Sequence, residues 1–237
     1  DEVTASARRD LDSTRQEQIF RFVGEGGFDA VVNCSAYTDF DGAETNRELC
    51  YAVNAKAVEY LAEACRGSGS RFVTISTDYV FDGSKGNAYS EDDPPAPQGV
   101  YGRAKLEGEK LAAGANPESV IVRSGWIFGP GGTNFLSAIP RLLAEEERIK
   151  AIEDSYGTPT YSADLASRLR ELAESGESGV FHVVNSGEGT SYMGFALQVC
   201  KAGGFDQDLV DGVSSGDLKR PAPRPAVPHG SSRQRSP

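Results

Sequence analysis

The sequence is poor in the residues that build metal centres and disulfide frameworks. It holds only two histidines, His182 and His229, too few for a histidine-rich site, and no metal is expected. Its four cysteines show no C-x-x-C spacing. Cys34 lies in an apolar strand-like run, and Cys50 and Cys65 in a helix-like one, so buried free thiols in a reducing cytosol are the simplest reading. Long hydrophobic runs are also missing: none approaches the roughly 18 residues of a membrane span. The opening "DEVTASARRDLD" has no apolar signal-peptide core, which points to a cytoplasmic protein without membrane association. Basic charge is scarce, with 24 Lys and Arg against 35 Asp and Glu and a net charge of −11. That balance argues against general nucleic-acid binding, but a small anionic ligand is held by local geometry and is not excluded.

What is present is an alternation of elements. "EVTAS" (2–6) reads as a short strand end, and "STRQEQIFRFVGEGG" as a helix entered at Ser13 and stopped by glycines. "FDAVVNCSAY" is a near-continuous apolar run, typical of a strand buried on both faces. "RELCYAVNAKAVEYLAEACRGSGS" carries apolar residues at helical spacing, and "RFVTISTDYVFDG" gives a second buried strand and a loop. The prolines of "DDPPAPQG" forbid helix before about Gly99, and a helix follows. "ESVIVRSGWIFGPGG" is a third strand running into a glycine-rich loop. Further on, "NFLSAIPRLLAEEERI" reads as a helix interrupted by Pro140, another helix opens near Ser162, and "GVFHVVNSG" is a strand. The end, "LKRPAPRPAVPHGSSRQRSP", is too rich in proline and glycine for regular structure.

Strands alternating with helices indicate an α/β fold with a doubly wound parallel sheet. Ligands of such sheets sit beyond the carboxyl ends of the strands. Three strand ends supply polar or aromatic groups there: "CSAYT" (34–38), "STD" (76–78) and "SGW" (124–126).

In "GVYGRAKLEGEKL" (99–111), Tyr101 precedes Lys105 by one helical turn, so both side chains share a face. A phenol titrates near pH 10 and needs help to exchange protons at neutral pH; a nearby ammonium supplies it by favouring phenolate. Thr77, at a neighbouring strand end, can hydrogen-bond a carbonyl oxygen beside the phenol. Such a set suits proton delivery to a carbonyl oxygen while a nicotinamide delivers hydride to its carbon. The pair alone does not decide this, because nine tyrosines and seven lysines make a chance pairing ordinary.

"STDYVFDG" (76–83), "YSEDDPPAPQGVYGRAKLEGEKL" (89–111) and "VRSGWIFGPGGTNF" (122–135) resemble the extended short-chain dehydrogenase/reductases. Within these, the sequence is most similar to the dTDP-4-dehydrorhamnose reductase family. "VNCSAYTDFDGAE" (32–44), "YAVNAKA" (51–57), "YGTPTYSADLA" (156–166) and "RPAPRPA" (220–226) match its pattern in the same order, so the resemblance covers nearly the whole chain. It implies a Rossmann-like dinucleotide-binding domain over 1–124 and a smaller mixed α/β, mainly substrate-binding domain over 125–237, with segments interleaved. It implies reduction of the 4-keto group of a dTDP-sugar with NADPH, NADH being the alternative. Tyr101 would be the proton donor. Lys105 would bind the nicotinamide ribose and lower the phenol pKa, and Thr77 would complete the hydrogen-bonding set. Asp78 and Trp126 would contact the nucleotide-sugar. Ala36, Tyr37 and Thr38 would line the cofactor, with Asp10 and Leu11 near the adenine and Ile75 under the ribose. Asn54 falls in mid-helix, where Asn is disfavoured, and either fixes local geometry near the site or is a tolerated surface residue. A homodimer stays open, as do a reductase or epimerase of another nucleotide-sugar and a non-catalytic subunit resembling the regulatory subunit of methionine adenosyltransferase.

Three features depart from that family. There is no G-x-x-G-x-x-G turn to bring a pyrophosphate onto a helix N-terminus, and "GEGG" (24–27) follows a helix rather than opening one. The expectation is that about 30 residues, one βα unit, precede Asp1 in a longer protein. Where a carboxylate often binds the adenine ribose, the chain has Ala7 followed by Arg8 and Arg9. This removes repulsion against a 2′-phosphate and supplies a partner for it, hence the expected preference for NADPH, with Arg8 at the phosphate. The tail "VPHGSSRQRSP" departs from the family pattern altogether.

Overall fold

The computed structural model describes residues 2–85 and 87–225. Residues 2–6 form no strand, and Val3 stays 85% exposed: this segment pairs with no described strand and has no core to enter. The Asp12 carboxylate accepts from the backbone N and Oγ1 of Thr14, holding a turn that delays the first helix, α1 (Gln16–Gly26), beyond Ser13. Gly27 ends it at φ 61°, a conformation that glycine reaches without a Cβ clash.

Strand β1 (Ala30–Asn33) is shorter than its apolar run suggests and is not buried on both faces. It pairs only with β2 among the described residues, and as an edge strand it leaves Val32 39% exposed. Cys34, just past its end, is exposed, whereas Cys50, Cys65 and Cys200 are buried free thiols. The short helices α2 (Phe40–Ala43) and α3 (Arg47–Tyr51) follow, and then a π-helical turn, Ala52–Lys56, before α4 (Ala57–Ser68). The single helix expected after residue 47 is therefore interrupted at Asn54.

Strand β2 (Arg71–Thr77) leads through a tight turn and the proline-rich loop to α5 (Val100–Ala115), which starts where the prolines allow. Next come β3 (Val120–Ser124), β4 (Ile127–Phe128) and α6 (Phe135–Ala144). Pro140 lies inside α6 without ending it. It forfeits one backbone bond, and the buried stripe of Leu136, Ile139 and Leu143 holds the helix through it. The remaining elements are β5 (Ile149–Ile152), β6 (Tyr156–Gly157), β7 (Thr160–Tyr161), α7 (Ser162–Glu174), β8 (Gly179–His182), β9 (Thr190–Ser191), α8 (Tyr192–Gly203) and β10 (Val210–Val213). Residues 227–237, the divergent tail, lie outside the described residues.

The main sheet is parallel throughout, in the order β1-β2-β3-β8. Successive residues of β2 serve opposite faces, as the strand pleat requires. Phe72 packs with Ile19, Val23, Leu61 and Ala112 from α1, α4 and α5, and Val73 packs with Leu165 and Leu169 from α7. Residues 162–182, from the second half of the chain, thus complete the layers around the first sheet. A second core joins α6 and α8 to the parallel pair β5–β10, through Ile139, Leu143, Ile149, Ala196 and Val210. No described helix is long and apolar enough to cross a membrane. No group of three or more potential metal ligands occurs among the described residues.

Candidate active site

The carboxyl end of β2 and the first turns of α5 bring the central residues together. Gly99, in extended conformation, precedes α5, and the Glu44 side chain accepts from Val100 N at 2.8 Å. Gly102 then faces the Tyr79 carbonyl so closely that any Cβ would collide with it. This close approach presses the helix onto the turn after β2.

Tyr101 is buried beneath two rings, Phe40 edge-on at 4.6 Å and Tyr79 at 5.8 Å, and those two stack on each other at 4.9 Å. Burial raises the phenol above its ordinary value, and the Thr77 hydroxyl beside it partly offsets this. Thr77 Oγ1 accepts from Tyr79 N at 3.2 Å and donates to Asp78 Oδ1 at 3.1 Å. Desolvation pushes the Asp78 carboxyl up to about 6. Lys105, 4% exposed, donates from Nζ to the Ile75 carbonyl at 2.6 Å, and burial brings its ammonium down to about 8. Thr77, Asp78, Tyr101, Lys105 and Ile75 therefore share one locus. The charges acting on the phenol are those of Asp78 and Cys50, both raising it, and the pKa-lowering contact comes from Thr77.

The loop carrying Ala36, Tyr37 and Thr38 is fixed by Asn54. Its Oδ1 accepts from Tyr37 N at 2.9 Å, and its Nδ2 donates to Tyr37 O at 3.0 Å. The π-helical turn sets this fully buried amide against the loop, so Asn54 is no surface residue. Trp126 takes φ 50°, a left-handed conformation rare for a bulky residue. Its ring stacks on Tyr192 at 3.9 Å and lies over Gly157, where a Cβ would strike the indole. Gly125, just before it, leaves similar room for the Asp78 carboxylate.

Arg8, Arg9 and Asp10 sit apart, on an exposed turn closed by Asp10 N to Ala7 O at 2.8 Å. Leu11 anchors that turn by packing against the α1–α4 core.

Several residues near the site lie within the quoted motifs, yet the sequence assigned them no role. Arg123 and Glu109 form a buried ion pair, Nη2 to Oε2 at 2.7 Å, and Ser76 Oγ also donates to Glu109. Arg224 lies over the Phe40 ring at 5.1 Å and pairs with Asp41 at 3.2 Å, so the proline-rich segment straps across the aromatic cluster. Only the fold brings such distant residues together. Asn54 is the exception, since an Asn in mid-helix was a visible anomaly.

The family model of the RmlD substrate binding domain matches residues 1–233. The dTDP-4-dehydrorhamnose reductase of Mycobacterium tuberculosis is 46% identical over 212 residues, covering 87% of this chain and 69% of that protein. The Streptomyces griseus protein of the same name is 40% identical over 229 residues, covering 94% of this chain and 75% of that protein. Among solved structures, dTDP-4-dehydrorhamnose reductase from Bacillus anthracis in complex with NADP superposes with a TM-score of 0.90 at 34% identity, covering 95% of this chain and 79% of that one. With a buried Thr–Tyr–Lys locus at the strand ends of a parallel sheet, and a family match along almost its whole length, the chain belongs to the RmlD substrate binding domain family.

Proposed function

We propose that the protein reduces the 4-keto group of dTDP-4-dehydro-L-rhamnose with NADPH, giving dTDP-L-rhamnose, and does so in the cytoplasm. The observation that carries this reading is the convergence of Thr77, Tyr101 and Lys105 at the end of β2.

The residues fit the cofactor. An ammonium has three donors, and the described bond to Ile75 leaves Lys105 capacity for ribose hydroxyls. Arg8, on its exposed turn, would pair with the 2′-phosphate. When bound, NADPH supplies the hydride that adds to the carbonyl carbon.

Tyr101 keeps its proton firmly at neutral pH, as a donor must, and transfers it to the carbonyl oxygen as charge develops there. Thr77 turns its single O–H from Asp78 to the same oxygen and then to the phenolate left on Tyr101, which solvent reprotonates. Asn54 keeps the Ala36–Thr38 loop in place along the cofactor, and Trp126 and Asp78 contact the nucleotide-sugar.

The test is consumption of NADPH by the full-length protein when dTDP-4-dehydro-L-rhamnose is added, with the product identified as dTDP-L-rhamnose. Absence of turnover on this sugar alongside turnover of another 4-keto nucleotide-sugar would reassign the substrate.

A further inference from the structure

Tyr101, Lys105 and Glu109 follow one another at four-residue intervals on α5 and so share one face, and each is more than nine-tenths buried. That face lies on three successive residues of β2. Thr77 adjoins Tyr101, the Ile75 carbonyl accepts from Lys105 Nζ at 2.6 Å, and between them Ser76 Oγ donates to Glu109. Arg123, the register partner of Ser76 on β3, grips the same carboxylate with Nε at 3.0 and 3.2 Å and with Nη2 at 2.7 Å. The proposed reaction uses the first two residues of this face and leaves Glu109 without a role.

Stability is a poor reason for the pair. Taking two charges out of water costs about as much as their attraction returns, and apolar residues of similar volume serve a fold as well. Its position supplies a better one. The carbonyl that holds Lys105 belongs to the Ile75–Ser76 peptide, so the bond from Ser76 to Glu109 fixes the acceptor on which the ammonium rests. Glu109 also lies one turn from that ammonium, which burial drives towards losing its proton, and its charge opposes the loss. The neighbouring groups on other elements do not share this task. Burial pushes up the Cys50 thiol on α3 and the Tyr101 phenol, and keeps His182, opposite Arg123 on β8, uncharged. The carboxylates of Asp78, Glu44 and Glu91 act on Tyr101, Cys50 and His182 respectively, which leaves Glu109 as the one acting on Lys105 among the described residues.

We infer that Glu109 is a positioning residue of the active site: held by Ser76 and Arg123, its carboxylate keeps the Lys105 ammonium charged and seated on the Ile75 carbonyl, ready for the cofactor ribose. This rests on the proposed reduction with NADPH.

Glu109→Gln keeps an oxygen to accept from Arg123 and Ser76 and removes only the charge. It also strands the Arg123 guanidinium, which lowers stability, so a second variant, Glu109→Gln with Arg123→Met, removes both members of the pair. The measurement is NADPH affinity of the full-length protein from pH 6 to pH 9, by fluorescence titration, beside thermal melts. Affinity of the unsubstituted protein should fall as Lys105 loses its proton near pH 8. In both variants the midpoint of that fall should move down by about one pH unit, weakening binding roughly 5-fold at pH 8 and leaving it almost unchanged at pH 6. A lower melting temperature with the midpoint unmoved would make Glu109 a structural residue and overturn the inference. Equal weakening at every pH would mean that α5 has shifted as a body, and would overturn it too. If the unsubstituted protein binds no NADPH, the functional reading fails and takes this role with it. NADPH binding by the unsubstituted protein with the midpoint unmoved in the variants defeats the role of Glu109 alone.

Discussion

Lys105 Nζ is anchored to the backbone carbonyl of Ile75 at 2.6 Å, two residues before the threonine that adjoins Tyr101. The match is geometric. Four residues of α-helix advance about 6 Å, and two residues of strand advance about 6.6 Å, so a Tyr-x-x-x-Lys helix laid along a strand meets alternate strand positions. Tyr101 therefore works with the Thr77 hydroxyl, and Lys105 with the strand backbone on the cofactor side. Both residues of the pair are tied to β2 before any ligand arrives.

Replacing Tyr101 by Phe removes the proposed proton donor and keeps the ring packed against Phe40 and Tyr79. Turnover of the 4-keto sugar should fall about 10²–10⁴-fold, the usual worth of general acid catalysis, with little change in melting temperature. Steady-state kinetics beside thermal melts check this, and turnover within a factor of two of the unsubstituted protein would refute the assignment.

Lys105→Met separates stability from binding. The buried ammonium has its pKa lowered from 10.5 to about 8, so below pH 8 it is charged in both states and the folded protein bears the full desolvation penalty. As pH rises from about 8 towards 10.5 the unfolded chain holds the extra proton and the penalty fades. Met should therefore raise stability at pH 7 by about 2–3 kcal/mol, less near pH 10, while weakening NADPH binding. Denaturant melts at the two pH values and a cofactor titration read the two effects independently.

The sequence showed much of this arrangement and hid the rest for identifiable reasons. Buried parallel strands such as Phe72–Thr77 advertise themselves as apolar runs, and prolines before Gly99 fix where α5 starts. The strand expected at residues 2–6 needed a neighbour that a local pattern cannot supply. The helix at 47–68 had the right periodicity, but the π-helical turn at Asn54 answers to α5, a tertiary contact. Glu109 and Arg123 come from α5 and β3, and nothing in their spacing announces the pair.

Asp78 should limit stability in the opposite pH range. Its folded pKa, about 6, lies above the ordinary 3.8 of an aspartate, so the stability it lends is present below about pH 4 and lost as pH rises through 6. Asp78→Asn keeps an oxygen to accept from Thr77 and carries no charge to desolvate. It should stabilise the protein by about 1–3 kcal/mol at pH 7.5 and by almost nothing near pH 4, which paired thermal melts would show.

Gly108→Ala tests whether the π-helical turn belongs to the site. A Cβ at position 108 would collide with the Asn54 carbonyl, and the obstacle is backbone, which cannot rotate aside as a side chain does. Relief must come from separating α5 and the π-helical turn, two elements that each hold part of the site. The first consequence is overpacking, expected to destabilise the fold by about 1–3 kcal/mol. The second is functional: movement of Asn54 loosens its two bonds to Tyr37, and movement of α5 shifts Lys105 from Ile75. Affinity for NADPH should fall together with stability. Gly114→Ala, on the same helix where a Cβ meets open space, should alter neither. If Gly108→Ala destabilised the protein but left cofactor affinity intact, Asn54 would hold the fold without shaping the cofactor loop.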